Sequence, residues 1–162
     1  MTLLELLKRI RSAFEQELQS HPCLSHRDAV HMRSRIIMLR SEDVPYYLAS
    51  VLCDVLTSRS KPDNEMRDID ILVDYLDAET VVEQRAVRAP YCEADWAIET
   101  QTAVMLKEAK LAAFQRLTRD QTDAVYEWLV FVSGWDALFW DRDILESAKA
   151  YWKSRNTSTG AS

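Results

Sequence analysis

Glycine is almost absent from this chain. Its 162 residues include two glycines and four prolines. Folds that contain many β-strands usually place glycine in their turns, where the backbone adopts conformations that other residues avoid. The scarcity of glycine therefore favours helices joined by short connections. We predict an all-α, single-domain bundle of about six to eight helices over residues 1–153, followed by a flexible C-terminal tail over 154–162.

The positions of the helices follow from the apolar residues. These recur at intervals of three and four residues in successive segments, as they do along one face of a helix. The predicted helices cover approximately 2–19, 25–39, 41–58, 66–76, 78–88, 93–116, 118–134 and 144–153. Two helix starts carry capping signals, which are Ser25 with Asp28 and the T-x-x-Q box of Thr118 with Gln121.

The run WLVFV, residues 128–132, is apolar on every side. Its β-branched and aromatic residues would also suit a strand. The ten residues before it have a helical pattern, so we interpret the run as the centre of a buried helix that ends near Gly134.

The negative charge is concentrated in one part of the sequence. The net charge of the chain is −6, and residues 63–99 contain 11 acidic and 3 basic residues, a net of −8. An acidic chain without a basic stripe is a poor candidate for binding nucleic acid. The one basic cluster, formed by Arg27, Arg33, Arg35 and Arg40, is interpreted as a solvated helix face.

Localisation is predicted from the N-terminus and the cysteines. Glu5, Lys8 and Arg9 interrupt the leucines of the first segment, which is unlike a signal peptide, and no stretch approaches the roughly 18 apolar residues of a membrane span. The three cysteines are odd in number and widely spaced, as is typical of free thiols in a reducing compartment. We therefore expect a cytoplasmic protein without membrane contact.

The stretch VSGWDALFWDRD, residues 132–143, combines aromatic and acidic residues. If a helical turn forms here, Trp135, Leu138 and Phe139 share one stripe and face the core. Trp140 lies about 140° round from Trp135, on the side of Asp136 and Asp143. Two roles are open to Trp140: it packs onto Leu145 as a hydrophobic staple, or it is an exposed anchor for a partner.

Catalytic and metal-binding patterns are weak. The three histidines lie within HPCLSHRDAVH, but the spacing of His26 and His31 puts them on different sides of a helix, and we predict neither a metal nor another cofactor. Acidic pairs spaced as in helical metal-dependent nucleotide hydrolases do occur, at Asp70/Asp74, Glu79/Glu83 and Asp95/Glu99. The same pairs are common on any acidic solvent-facing surface.

The C-terminal half resembles the closing helices of a group of small, uncharacterised bacterial all-helical proteins. The residues that carry the resemblance are Leu117, Thr118, Gln121, Trp128, Leu129, Tyr151 and Trp152. They form a Leu-Thr-x-x-Gln helix start, an apolar helix and a terminal Tyr-Trp pair. The resemblance implies an all-α bacterial protein and identifies no catalytic residue.

The expected function is that of a non-enzymatic protein-binding module, an acidic immunity or antitoxin-type inhibitor. Its partner would be another protein, such as a toxin with a basic surface. Long-range attraction is assigned to Asp68, Asp70, Asp74, Asp77, Glu79 and Glu83, and short-range contact to Trp140 with Asp136 and Asp143. Two alternatives stay open, a metal-dependent hydrolase that uses the carboxylate pairs and a self-associating scaffold.

Overall fold

A computed structural model describes residues 1–58, 66–78, 93–135 and 142–158, with the backbone alone at Ser34, 66–68, 93–103, 157 and 158. Within these ranges the chain forms eight α-helices, one 3-10 turn and no strand, which confirms the all-α fold class. The helices are α1 (Leu3–Ala13), α2 (Glu15–Ser20), α3 (His26–Arg35), α4 (Val44–Ser58), α5 (Met66–Leu76), α6 (Glu93–Gln115), α7 (Arg119–Ser133) and α8 (Arg142–Ser158). The 3-10 turn, Ile36–Met38, follows α3 directly.

The two helix starts predicted from capping signals are confirmed. At the start of α7 the Thr118 hydroxyl accepts from the Gln121 main-chain N–H at 3.3 Å, and the Gln121 side chain accepts from the Thr118 N–H at 3.0 Å. At the start of α3 the Ser25 hydroxyl accepts from the N–H of Asp28. Each signal needs only residues three apart, so local sequence is enough to determine these starts.

The segment predicted as one helix over 2–19 is divided into α1 and α2 at Phe14. The backbone of Phe14 leaves the helical region, with φ −112° and ψ 27°, and its ring is completely buried. The main-chain hydrogen bonds from Phe14 to Ile10 and from Leu18 to Phe14 continue across the bend. The chain therefore keeps these two hydrogen bonds where the helix is interrupted, and places an aromatic ring in the core.

Helix α7 supplies several residues of the core. It packs against α1 and α8, and α4 contacts α1, α2 and α3. The run WLVFV is helical, as predicted, and Trp128, Leu129 and Val132 are fully buried. Phe131 is half-buried and Val130 is 42% exposed, so the run is buried on one side of the helix and not all round. Trp135, just beyond α7, is also buried, as predicted; Leu138 and Phe139 lie outside the described residues.

The last helix is longer than the predicted 144–153. It begins at Arg142 and continues to Ser158, so residues 154–158 are helical. Its buried face consists of Leu145, Ala148 and Trp152, which pack against α5 and α7. The predicted helix over 78–88 falls almost entirely outside the described residues. No helix of the described part has the length and apolar character that a membrane span requires.

Candidate functional site

Helix α5 carries an acidic stripe on the side that faces away from the core. Its inner side is formed by the buried residues Ile69, Leu72, Val73, Tyr75 and Leu76. On the outer side, Asp70 and Asp74 are half-buried and one turn apart, and Ile71 beside them is 41% exposed. We call Asp70, Ile71 and Asp74 the α5 stripe. It presents an apolar side chain between two carboxylates, both of which were predicted site residues.

The Asp70 carboxyl has a shifted pKa. Partial burial, and then the charge of Asp74 one turn away, raise its pKa from 3.8 to about 6. Both influences disfavour the charged form of this carboxyl. The α5 stripe therefore holds a carboxyl whose charged form a nearby positive charge would favour.

Several other carboxylates of the described part already have a cation within the chain. Asp43 accepts from Arg40 Nε at 2.9 Å, and Glu146 lies 2.9 Å from Lys149 Nζ. Arg9 of α1 reaches three acidic residues of α7, which are Asp120 at 3.6 Å, Asp123 at 3.9 Å and Glu127 at 3.4 Å. These pairs partly neutralise the acidic residues locally.

Asp77, another predicted site residue, lies in the interior. It is 2% exposed, and its carboxylate oxygen Oδ1 accepts from the Ser147 hydroxyl of α8 at 2.6 Å. The Lys110 ammonium group of α6, also 2% exposed, donates to the Asp77 main-chain carbonyl. These contacts link the end of α5 to α6 and α8. Asp77 therefore does not belong to the exposed acidic face.

Of the remaining predicted site residues, some lie among the residues that the structure describes and some do not. Asp143 is exposed in the first turn of α8. Asp68 lies in α5, but its side chain is outside the description. Glu79, Glu83, Asp136 and Trp140 lie outside the described residues, so the two roles considered for Trp140 stay open.

No group of three or more metal-binding side chains occurs among the described residues. Of the three acidic pairs considered for a hydrolase, only Asp70/Asp74 is described through its side chains. Glu79 and Glu83 lie outside the described residues. At Asp95 and Glu99, in helix α6, only the backbone is described.

A buried charged network between α3 and α4 was not predicted from the sequence. Asp54 of α4, with a side chain only 10% exposed, lies 2.7 Å from His26 Nδ1 and 3.3 Å from an Arg33 terminal nitrogen. Arg33 is 1% exposed, so its assignment to a solvated basic face was wrong. The physical reason is its partner: a carboxylate on α4 lets the guanidinium enter the interior.

The sequence did contain a signal for this network. Asp54 is the only charged residue of the apolar helix α4, VPYYLASVLCDVLTS. An acidic residue surrounded by buried apolar positions needs an internal cation or hydrogen-bond donor. Lys110 is a similar case, because it occurs within the apolar run KLAAF of α6.

A comparison of the chain with known protein families, with curated proteins and with solved structures found no match. The function therefore has to be inferred from the chemistry of the α5 stripe and of the other charged groups in the bundle.

Proposed function

We propose that this protein is a non-enzymatic binding module that docks on a basic surface of another protein through the α5 stripe. The observation that carries the proposal is Asp70, a half-buried carboxylate whose pKa is raised to about 6 by burial and by Asp74. A lysine or arginine of a partner placed beside Asp70 would favour the charged form of this carboxyl. Binding energy would then come from the attraction between this cation and the Asp70 carboxylate, whose charged form is disfavoured first by burial and then by Asp74.

Ile71 supplies the apolar part of the contact. It is exposed, and it lies between Asp70 and Asp74 in the sequence of α5. Charges at the rim of an interface contribute little individually, whereas apolar side chains that lose water on docking contribute more. An isoleucine flanked by carboxylates suits a partner in which aliphatic or aromatic groups lie beside basic ones.

The class of partner follows from the charge of the whole chain. The net charge of the chain is −6, because residues 63–99 carry −8 and the remaining residues +2. Such a protein would attract a basic surface over a distance. Toxins that cut nucleic acid or bind nucleotides have such surfaces, because their ligands carry phosphates. We therefore propose an immunity or antitoxin-type inhibitor that covers a basic cleft.

The test is affinity capture from the native host with three forms of the tagged chain. They are the wild type, Asp70→Asn/Asp74→Asn, and Glu15→Gln/Glu108→Gln, which makes the same change in net charge at two exposed sites elsewhere. The proposal expects a basic protein that the wild type and the control retain and the α5 variant loses. The proposal fails if the partner is held equally by all three forms, or if an inhibited activity of the purified partner is unaffected by the chain.

The pair Asp70/Asp74 also supports one alternative, the metal-dependent hydrolase. Two carboxylates one turn apart, with a raised pKa on one, are a suitable part of a divalent-cation site. Calorimetric titration with Mg²⁺ and Mn²⁺, followed by assay of nucleotide hydrolysis, separates the two functions. Tight metal binding that Asp70→Asn/Asp74→Asn abolishes, with metal-dependent turnover, would favour the enzyme.

A further inference from the structure

Helix α3 has a basic outer side. Arg27, His31 and Arg35 are all exposed, and successive members are four residues apart, so they form one stripe along the helix. The opposite side of α3 is buried and includes Ala29 and Arg33. We call Arg27, His31 and Arg35 the α3 stripe. It is the side of α3 that faces solvent.

The two arginines of the α3 stripe keep their charges at the surface. Among the described residues, no ion pair includes Arg27 or Arg35. The exposed acidic residue of α3, Asp28, accepts from the Ser25 hydroxyl at 2.6 Å within the helix cap. The α3 stripe therefore presents positive charge on a chain whose net charge is −6.

The α3 stripe and the α5 stripe lie on neighbouring helices, because α3 and α5 pack against each other in the bundle. The two stripes carry opposite charges, since the α5 stripe contains Asp70 and Asp74. Successive charged positions are one turn apart in both stripes, a rise of about 6 Å along the helix axis. Two successive members of an α3 stripe can therefore face the two carboxylates of an α5 stripe.

An exposed apolar side chain accompanies each stripe. Ile71 belongs to the α5 stripe, and Met38, in the 3-10 turn that directly follows α3, is 74% exposed. Met38 is three residues beyond Arg35 in the sequence. Methionine is flexible and packs against apolar groups of many shapes. Both surfaces thus combine charge with an apolar group, as interfaces between proteins do.

We propose that the protein forms a homodimer in which the α3 stripe of one copy packs against the α5 stripe of the other. An interface between identical chains related by a two-fold axis is self-complementary, because every contact occurs twice. Each copy supplies one basic and one acidic stripe, so a pair of copies forms both contacts at once. The assembly then closes as a dimer and leaves no stripe for a third copy.

The dimer is expected to be weak and sensitive to salt. Two short helix faces form a contact at the small end of the range of protein interfaces, and exposed charge pairs contribute little individually. Salt screens such pairs, with a Debye length of about 10 Å at 0.1 M and about 3 Å at 1 M. The dimer should therefore form at high protein concentration and low salt, and dissociate at high salt.

The dimer goes beyond the proposed docking of a basic partner and does not depend on it. Dimerisation needs both stripes, whereas docking needs the α5 stripe alone. Because the α5 stripe cannot contact a second copy and a basic partner at the same time, the partner would displace the dimer. A variant that is changed only in the α3 stripe should lose the dimer and keep the docking.

Sedimentation equilibrium of the full chain measures the association. At low salt and high protein concentration we expect the wild type to approach twice the mass of one chain, and in about 1 M salt to approach the mass of one chain. Arg27→Glu/Arg35→Glu should raise the dissociation constant by about tenfold or more, because it places acidic residues against the α5 stripe. Arg116→Glu/Arg119→Glu is the control, with the same change in net charge at two other exposed arginines, and should dimerise almost as the wild type does.

An exchange of charge between copies identifies the contact. Asp70→Lys/Asp74→Lys should also be monomeric, because both of its stripes are then basic. Mixed in equal amounts with Arg27→Glu/Arg35→Glu, it should form a dimer that contains one copy of each variant, since both contacts regain opposite charges. Native mass spectrometry distinguishes this mixed dimer from the two separate chains.

A wild type that stays monomeric at low salt would overturn the proposal. So would a dimer that Arg27→Glu/Arg35→Glu retains, the absence of a mixed dimer from two folded variants, or larger alternating assemblies, which indicate a head-to-tail contact. If Asp70→Lys/Asp74→Lys does not fold, the comparison of Arg27→Glu/Arg35→Glu with its control still decides. In affinity capture the same α3 variant should retain the basic partner, so loss of the dimer and loss of docking are separate results.

Discussion

The indole N–H of Trp152 donates to the main-chain carbonyl of Leu76 at 2.8 Å, deep within the bundle. Leu76 is the last residue of α5, so its carbonyl is one of those that a helix cannot satisfy internally. The next carbonyl, that of Asp77, accepts from Lys110. Donors from α8 and α6 thus cap the end of the helix that carries the α5 stripe, and they fix the orientation of the stripe.

The first prediction concerns this cap. Trp152→Phe should lower the free energy of unfolding by about 1–2 kcal/mol more than Trp128→Phe, because it leaves the Leu76 carbonyl buried without its donor. Trp128 is the matched control: it is also fully buried and donates to the Leu52 carbonyl at 3.1 Å. Leu52 lies within α4, where its carbonyl keeps a main-chain partner. Urea denaturation of both variants tests the difference, and equal losses would refute the capping role.

The buried network gives a second prediction. Asp54→Asn should lower the free energy of unfolding by about 3 kcal/mol or more, because it removes a buried carboxylate that lies 3.3 Å from the buried Arg33 guanidinium. Asp43→Asn is the control, since its partner Arg40 is largely exposed, and it should cost less than about 1 kcal/mol. Urea denaturation measures both costs. A small loss for Asp54→Asn would mean that the network contributes little to stability.

The capping box of Thr118 and Gln121 and the buried position of Trp128 could be predicted because each depends on nearby sequence. A box requires two residues three apart, and the helical periodicity of the residues before the apolar run favours a helix there. The bend at Phe14 could not be predicted in this way. No proline or glycine marks it, and it depends on where the rest of the core accepts an aromatic ring.

The candidate site could also be predicted only in part from the sequence. Asp70, Asp74 and Asp77 have the spacing of one helical face, and the sequence therefore placed all three on the solvent side. Helix α5 ends at Leu76, so Asp77 no longer follows the helical face and turns inward to Ser147. The raised pKa of Asp70 depends on its degree of burial, which only the packed bundle determines.

A third prediction follows from the pKa of Asp70. Its value of about 6 in the folded protein lies above the ordinary 3.8, so the folded chain binds the proton more tightly than the unfolded chain. This carboxyl therefore contributes stability below about pH 4, and the contribution is lost as the pH rises through 6. Asp70→Asn mimics the protonated form, and above pH 6 it should melt at a higher temperature than the wild type.

Melting temperatures of the wild type, Asp70→Asn and Glu108→Gln between pH 4 and pH 8 provide the measurement. The gain from Asp70→Asn should appear between pH 4 and pH 6 and stay constant above this range. Glu108→Gln, an exposed control on α6, should show no comparable step. A gain for Asp70→Asn that is the same at pH 4 and pH 8 would contradict the assigned pKa.

Docking through the α5 stripe is tested most directly by the association rate of the purified partner at different salt concentrations. With the wild type, association should be fast at low salt and should slow steeply as salt is added. Asp70→Asn/Asp74→Asn should slow association by about tenfold at low salt and reduce the salt dependence, whereas Glu15→Gln/Glu108→Gln should stay closer to the wild type. Equal rates and equal salt dependence for the two double variants would contradict docking through the α5 stripe.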